Sequence, residues 1–293
     1  MNSIKQNIQW FPGHMTKTIR LMESEIKNVD IVIELLDARI PFSSKNPLFE
    51  RVTRQKPRLI LLNKSDLADN ESTKEWTKYY KDNNYEVLST VSKNKDTKRR
   101  VLETISQMPN ETLENRRDKG MTGLKYRAMV IGIPNVGKST FINLLADSGV
   151  TRVEDRPGVT RGKQWIVTSD IELLDMPGVL WPKFETQRIA HNLAFCGAIS
   201  DKIVDMTELA LSLLDEIKES HKEKICLRYN LEYDDITAFD LLEAIGQKRG
   251  MLISKGDIDI DRAAIMLIDE LRGKKIGPIT FEYVKNIEKY LDE

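Results

Sequence analysis

Residues 132–139 read Gly132-Ile133-Pro134-Asn135-Val136-Gly137-Lys138-Ser139, a full match to GxxxxGK[ST], the loop that cradles phosphates. Ahead of it, residues 126–131 are an apolar run that reads as a buried strand; behind it, residues 140–146 read as the first turns of a helix. That strand–loop–helix context is what the pattern requires. Gly132 and Gly137 let the backbone close around a polyphosphate with no side chain in the way. Asn135, Val136, Gly137, Lys138, Ser139 and Thr140 are the candidate phosphate-binding residues. Their amides make an anion nest at the positive end of a helix. Lys138 is placed to reach the β- and γ-phosphates, and the Ser139 hydroxyl to ligate Mg²⁺. The bland alternative is a chance Gly-rich turn ahead of a helix.

Other strands flank this one in the pattern. Residues 30–36, 57–62 and 85–89 are mostly apolar runs, and 163–168 and 170–174 read as two shorter strands. With residues 126–131 they make six, and near-continuous apolar strands alternating with helical stretches mean an α/β fold with a mostly parallel sheet covered on both faces. A helix is expected over residues 16–27, with Ile19, Met22 and Ile26 on one face. From about residue 183 the pattern turns helical, at 185–195, 208–218, 238–248, 262–271 and 281–290. The chain therefore divides into an α/β domain at 1–182 and an all-α domain at 183–293.

The strand at 57–62 runs straight into Asn63-Lys64-Ser65-Asp66. This is NKxD, whose logic is the sign of its hydrogen bonds. Guanine offers an N1–H and an N2 amino group, both donors, and the Asp66 carboxylate accepts from both. Adenine would set a lone pair against it. Asn63 ties the loop down, and the Lys64 stem covers the flat face of the base. Alone, NKSD is also a common turn with a helix N-cap at Ser65 or Asp66. One strand later, Thr90-Val91-Ser92 stands where backbone amides of Val91 and Ser92 would meet guanine O6. Asp175-Met176-Pro177-Gly178 closes the strand at 170–174. There Asp175 would hold Mg²⁺ and the Gly178 amide would sense the γ-phosphate, and Thr160 is the candidate switch threonine that joins the metal. A strand followed by a Pro-Gly turn is the plain alternative.

Composition sets outer bounds. The 293 residues are 40% hydrophobic and 31% charged, enough for a sizeable core. The 45 basic residues match the 45 acidic ones, yet residues 1–200 carry a net +7 and residues 201–293 a net −7. A basic first part fits a polyanion such as RNA; an ordinary mixed-charge surface fits as well. Lysine and arginine pairs at Lys248-Arg249 and Lys274-Lys275 are candidate phosphate contacts in the otherwise acidic segment. Two lone cysteines, Cys196 and Cys226, exclude a disulfide framework and a cysteine metal site, and point to a reducing, cytoplasmic setting. The N-terminus lacks the apolar core of a signal peptide, and no apolar run reaches membrane-span length.

The motifs are complete but rotated, because NKSD precedes the P-loop. Together with Trp10-Phe11-Pro12-Gly13-His14-Met15 and Asp37-Ala38-Arg39, they resemble the YlqF/RbgA family of circularly permuted ribosome-biogenesis GTPases over nearly the whole chain. The resemblance implies a GTP hydrolase in late assembly of the large ribosomal subunit, acting on its precursor and rRNA; nothing in the sequence suggests an obligate dimer, and a monomer is expected. The alternative is a nucleotide-gated rRNA-binding assembly factor in which hydrolysis is incidental. Val179 and Leu180 stand where Ras-like enzymes carry a water-orienting Gln. The resemblance points to His14 as the substitute catalytic group, beside Lys138 and Thr160; a structural histidine is the competing reading. Asn135 resembles the P-loop asparagine with which some of these GTPases bind K⁺ between phosphates.

Overall fold

The computed structural model describes residues 15–109, 114, 118, 124–146, 151–154, 164–254 and 256–290. Its centre is a sheet whose inner strands are apolar throughout. Strand β1 (Ile31–Asp37) is buried at all seven positions and β2 (Arg58–Asn63) at all six. Strands buried on both faces need helices above and below, which is why these runs do not alternate with polar residues. β3 (Glu86–Ser89), β4 (Tyr126–Gly132), β5 (Thr151–Glu154), β6 (Gln164–Val167) and β7 (Ile171–Asp175) complete the sheet in the order β3-β2-β1-β4-β7-β6-β5. β1, β2, β3, β4 and β7 are parallel, and β6 and β5 run antiparallel at the edge.

The sequence pattern led to six strands, and the described residues hold seven. The addition is β5, whose Thr-Arg-Val-Glu carries one large apolar residue. An edge strand has one ladder and needs no continuous apolar run, so it leaves no such signal.

Strand order explains how a rotated chain makes an ordinary nucleotide fold. The chain begins at the middle with β1 and winds outward through β2 and β3. It then returns to the middle at β4, crosses to the far edge at β5, and comes back inward through β6 to β7 beside β4. β1 and β4 are neighbours, paired from Ile31–Ala128 to Leu35–Gly132. The loops that leave β1, β2 and β4 therefore share one end of the sheet, where open α/β sheets bind ligands.

On one face, Val32, Met129, Ile131 and Leu174 pack with Ile19 and Met22 of α1 (Met15–Glu25) and Phe49 of α2 (Pro47–Thr53). On the other, Ile31, Ile33, Leu35 and Val130 meet Val101 and Ile105 of α4 (Lys95–Gln107) and Phe141 and Ile142 of α5 (Lys138–Ala146). α3 (Asn70–Asp82) covers Leu36, Ile60 and Leu62 with Trp76 and Tyr80.

Five helices follow: α6 (Gln187–Phe195), α7 (Met206–Ile217), α8 (Lys222–Tyr229), α9 (Ala238–Lys248) and α10 (Ile260–Arg272). Thr186, Asp205, Thr237 and Asp259 cap four of them by accepting from first-turn amides. α8 was not expected; its Lys-Glu-Lys-Ile-Cys-Leu-Arg-Tyr buries only Ile225 and Tyr229, too few to show a period. The helix expected over 281–290 is not an α-helix. Phe281 donates to Arg39 O at 3.0 Å and Trp76 donates to Glu282 O at 2.8 Å, so this backbone spends its hydrogen bonds on the α/β part. A 3₁₀ stretch, Val284–Tyr290, follows. One apolar cluster runs from the sheet through α6, α7, α9 and α10. No helix among the described residues is long and apolar enough to cross a membrane.

Candidate nucleotide site

The site forms where three loops meet, and Asn63 is the knot. Its Nδ2 donates to Val136 O in the P-loop at 2.8 Å. Its Oδ1 accepts from the Ser92 amide at 3.1 Å and the Ser92 hydroxyl at 2.7 Å. The side chain is buried, so these bonds face no competition from water. Gly137 is required for this closeness: a Cβ there would lie 2.5 Å from Asn63 Nδ2, and its φ of +105° is one that side-chain-bearing residues rarely adopt.

Lys64 takes a left-handed φ of 57°, which turns its side chain back over the P-loop. Its Nζ donates to Asn135 O at 2.7 Å and to Asp37 Oδ2 at 3.0 Å. Asp37, at the end of β1, is also gripped by Arg39 through two bonds of 2.9 and 2.8 Å. Burial works to raise the Asp37 carboxyl, but Arg39 and Lys64 outweigh it and hold the group far below the usual carboxylate range. The Asp37-Ala38-Arg39 stretch is thus the foundation under the NKSD loop.

Lys138 lies at the head of α5 with its Nζ donating to Gly132 O at 3.2 Å and Ile133 O at 3.1 Å. Burial lowers its pKa to about 8, against the attraction of Asp175. Burial likewise raises the Asp175 carboxyl, opposed by Lys138. Gly178 presses on the P-loop: a Cβ there would lie 2.6 Å from Lys138 Nζ and 3.0 Å from Pro134 Cα. Ser139 and Thr140 are exposed, and Thr140 lines the cavity of the site.

A cavity of about 940 Å³ joins these parts. Lys64, Asp66, Val91 and Ser92 line one end; Pro134, Asn135, Gly137 and Thr140 line the other. The NKSD tetrapeptide and the P-loop therefore open on one space, of the size that holds a whole small ligand. The Ser92 amide is spent on Asn63, which takes it out of the expected pair of base-edge amides, Val91 and Ser92. His14 and Thr160 lie outside the described residues.

The third wall is one the sequence did not disclose. Residues 196–202, after α6, and 272–274, at the end of α10, line the same cavity. Asn135 Nδ2 donates to Gly197 O at 2.7 Å, fastening the P-loop to this wall. Burial pushes the Cys196 thiol up to about 12, which keeps it an inert thiol at the cavity edge. The nearest sequence signal was Lys274-Lys275, read as a candidate phosphate contact. Lys274 instead lies 3.7 Å from Asp66 Oδ2.

A Bacillus cereus protein named ribosome biogenesis GTPase A is 42% identical over 276 residues, which cover 94% of this chain and 93% of that one. The chain belongs to the ribosome biogenesis GTPase A family. It is a GTPase. A family model described as 50S ribosome-binding GTPase matches residues 127–241. The GDP-bound structure of YlqF from T. maritima shares the fold with a TM-score of 0.68 at 24% identity, covering 91% of this chain and all of that one. The GNP-bound form gives 0.63 at 26% identity, covering 91% and 98%.

GTPases of this kind use Mg²⁺, and the residues present fit it. No group of three or more His, Cys, Asp or Glu among the described residues could hold a metal by itself. That is expected where one carboxylate and one hydroxyl share the ion with phosphate and water. Asp175 is a half-buried carboxylate with only partial charge compensation, so a hard cation beside it would relieve its burial cost.

Proposed function

We propose that this ribosome biogenesis GTPase A family member binds GTP along the cavity and hydrolyses it during late assembly of the large ribosomal subunit. The observation that carries the reading is the Asn63 bridge, which makes the base loop and the phosphate loop one rigid unit. Asp66 reads the guanine N1–H and N2 amino group, with Val91 at O6 and the Lys64 stem over the ring. Residues 135–140 cradle the phosphates, and Lys138 leaves its two carbonyl partners for phosphate oxygens. Ser139, Asp175 and Thr160 would hold Mg²⁺, which would supply positive charge against the phosphates. The Oδ1 of Asn135 is the atom that would face a K⁺.

The water-orienting group does not follow Gly178. Val179 and Leu180 are 4% and 0% exposed, built into the core, so neither side chain can touch an attacking water. His14 is the residue proposed for that role. It directly precedes α1, whose Met15, Ile19 and Met22 pack in the same cluster as Met176 and Val179. The helical segment and the basic stretches of residues 1–200 are proposed to meet rRNA and the particle. The boundary near residue 182 marks a change of element type in this scheme, not a break in packing.

The decisive experiment is GTP turnover with and without purified large-subunit particles. Stimulation by the particles is expected. Equal turnover in both conditions would remove the ribosomal particle from the reaction.

A further inference from the structure

Asp66 does not face the cavity alone. The Lys274 ammonium stands 3.7 Å from Asp66 Oδ2, and both side chains are partly exposed on the cavity wall. The contact is built in from both sides. α10 ends at Arg272, and Lys274 adopts a left-handed φ of 66°, a conformation that costs a non-glycine residue. Arg272 fixes the position of this turn: its guanidinium donates to Ala194 O at 2.8 Å and Phe195 O at 3.1 Å and pairs with Asp201 at 2.7 Å. On the opposite side, the NKSD loop is pinned to the chain just beyond the same turn. Ile279 donates to Leu67 O at 2.9 Å, and the Asp69 amide donates to Thr280 Oγ1 at 2.8 Å.

We propose that Lys274 is a positioning residue that tunes base selectivity by competing for the carboxylate that reads guanine. The proposal rests on the assignment of Asp66 to the base. Guanine presents two donors and engages both Asp66 oxygens, so its second donor and the ammonium compete for Oδ2. Hypoxanthine has the N1–H but no N2 amino group; it needs one oxygen, and the other stays with Lys274. The ammonium therefore opposes guanine more than hypoxanthine and narrows the gap between them. Because the competition is at the base, it acts equally on diphosphate and triphosphate. It also ties occupancy of the base end to the turn held by Arg272, and so to the ends of α6 and α10.

The pair is solvent-exposed, so its effect is small: about twofold to fivefold in affinity, the range of exposed ion pairs. The test measures dissociation constants of GDP and inosine diphosphate by titration calorimetry for the full chain and for Lys274→Ala and Lys274→Arg. Lys274→Ala is expected to tighten GDP by about that factor while inosine diphosphate stays within error. Lys274→Arg should restore the original ratio. Raising the salt should erase the difference between the original chain and Lys274→Ala, because exposed pairs are screened. Equal change for both nucleotides, no change for either, or weakening of both would overturn the proposal, since each would make Lys274 a plain wall or a ligand contact. The base assignment has its own control: Asp66→Asn should turn preference from guanosine to xanthosine diphosphate. If it does not, the underlying site is wrong, whatever Lys274 does.

Discussion

The depressed pKa of Lys138 predicts that nucleotide binding takes up a proton in mild alkali, if this lysine moves onto the phosphates as proposed. In the free protein, burial outweighs Asp175 and sets the ammonium pKa at about 8. A polyphosphate beside Nζ stabilises the charged form, so the pKa rises on binding. The sign follows: a group that is more basic when bound takes up a proton, and affinity is full below the free pKa and lost above it. The free lysine is about 10% deprotonated at pH 7, about half at pH 8 and about 90% at pH 9. Net uptake due to Lys138 should follow those values, and GDP affinity should approach a tenfold fall per pH unit above 8. The assay is calorimetry of GDP binding in pairs of buffers with different ionisation enthalpies, without added Mg²⁺, at pH 7, 8 and 9. Subtracting the Lys138→Met result cancels proton changes of the nucleotide itself. A difference that is zero at pH 9, or equal at pH 7 and pH 9, would refute the assignment of Lys138 to the phosphates.

Gly178→Ala should drive a methyl into Lys138 and the Pro134 backbone; the lysine tip can move but the backbone cannot, so nucleotide affinity is expected to fall about fivefold to a hundredfold, by overpacking of about 1–3 kcal/mol, read by fluorescent-GTP titration. Asn63→Ala strands Val136 O and the Ser92 donors in a buried site and should cost about 1–3 kcal/mol, lowering both the melting temperature and GDP affinity. His14→Ala should cut particle-stimulated turnover by about 10²–10⁴ with GTP binding retained; unchanged turnover would exclude it. Asp37→Asn leaves Arg39 buried without its partner and should cost about 3–5 kcal/mol in denaturant unfolding. Because the folded Asp37 pKa is depressed, its contribution is present above the ordinary carboxylate range and lost as pH falls below it, so the variant should show a flatter acid limb.

What could be read in advance followed from how strongly each segment's surroundings constrain it. β1, β2 and β4 are buried on both faces, and such burial forces a continuous apolar run. Asn63, Asp66, Lys138 and Asp175 sit in motifs whose spacing is set by the ligand, so they stayed recognisable although their order in the chain is rotated. β5, with a single large apolar residue, had no such constraint. Residues 281–290 were read as a helix because their apolar residues recur at helical spacing, but Phe281 is buried against another partner and donates its amide to Arg39 O, as Ile279 just before it donates to Leu67 O. Lys274 belongs to no motif. Its place beside Asp66 depends on where α10 ends and on the Arg272 anchor, neither of which a local pattern encodes.

The chain's path gives the helical segment an unusual mechanical position. It leaves the α/β part at Gly178, which touches the P-loop, and enters α6 nine residues later at Gln187. It returns through residues 276–283, where Glu282, wholly buried, accepts from the Phe42 and Ser43 amides in the loop after β1 and from Asn192 of α6. Burial raises the Glu282 carboxyl while these donors stabilise its charge, so the group has a place only when loop, helix and strap are all seated together. The helices are thus tethered at both ends to loops at the nucleotide end of the sheet, and Asn135 fastens them a third time at Gly197. A shift of Gly178 would therefore not swing the helices about one hinge: it would have to carry the strap with it or strain the bonds that Glu282 makes to Phe42, Ser43 and Asn192.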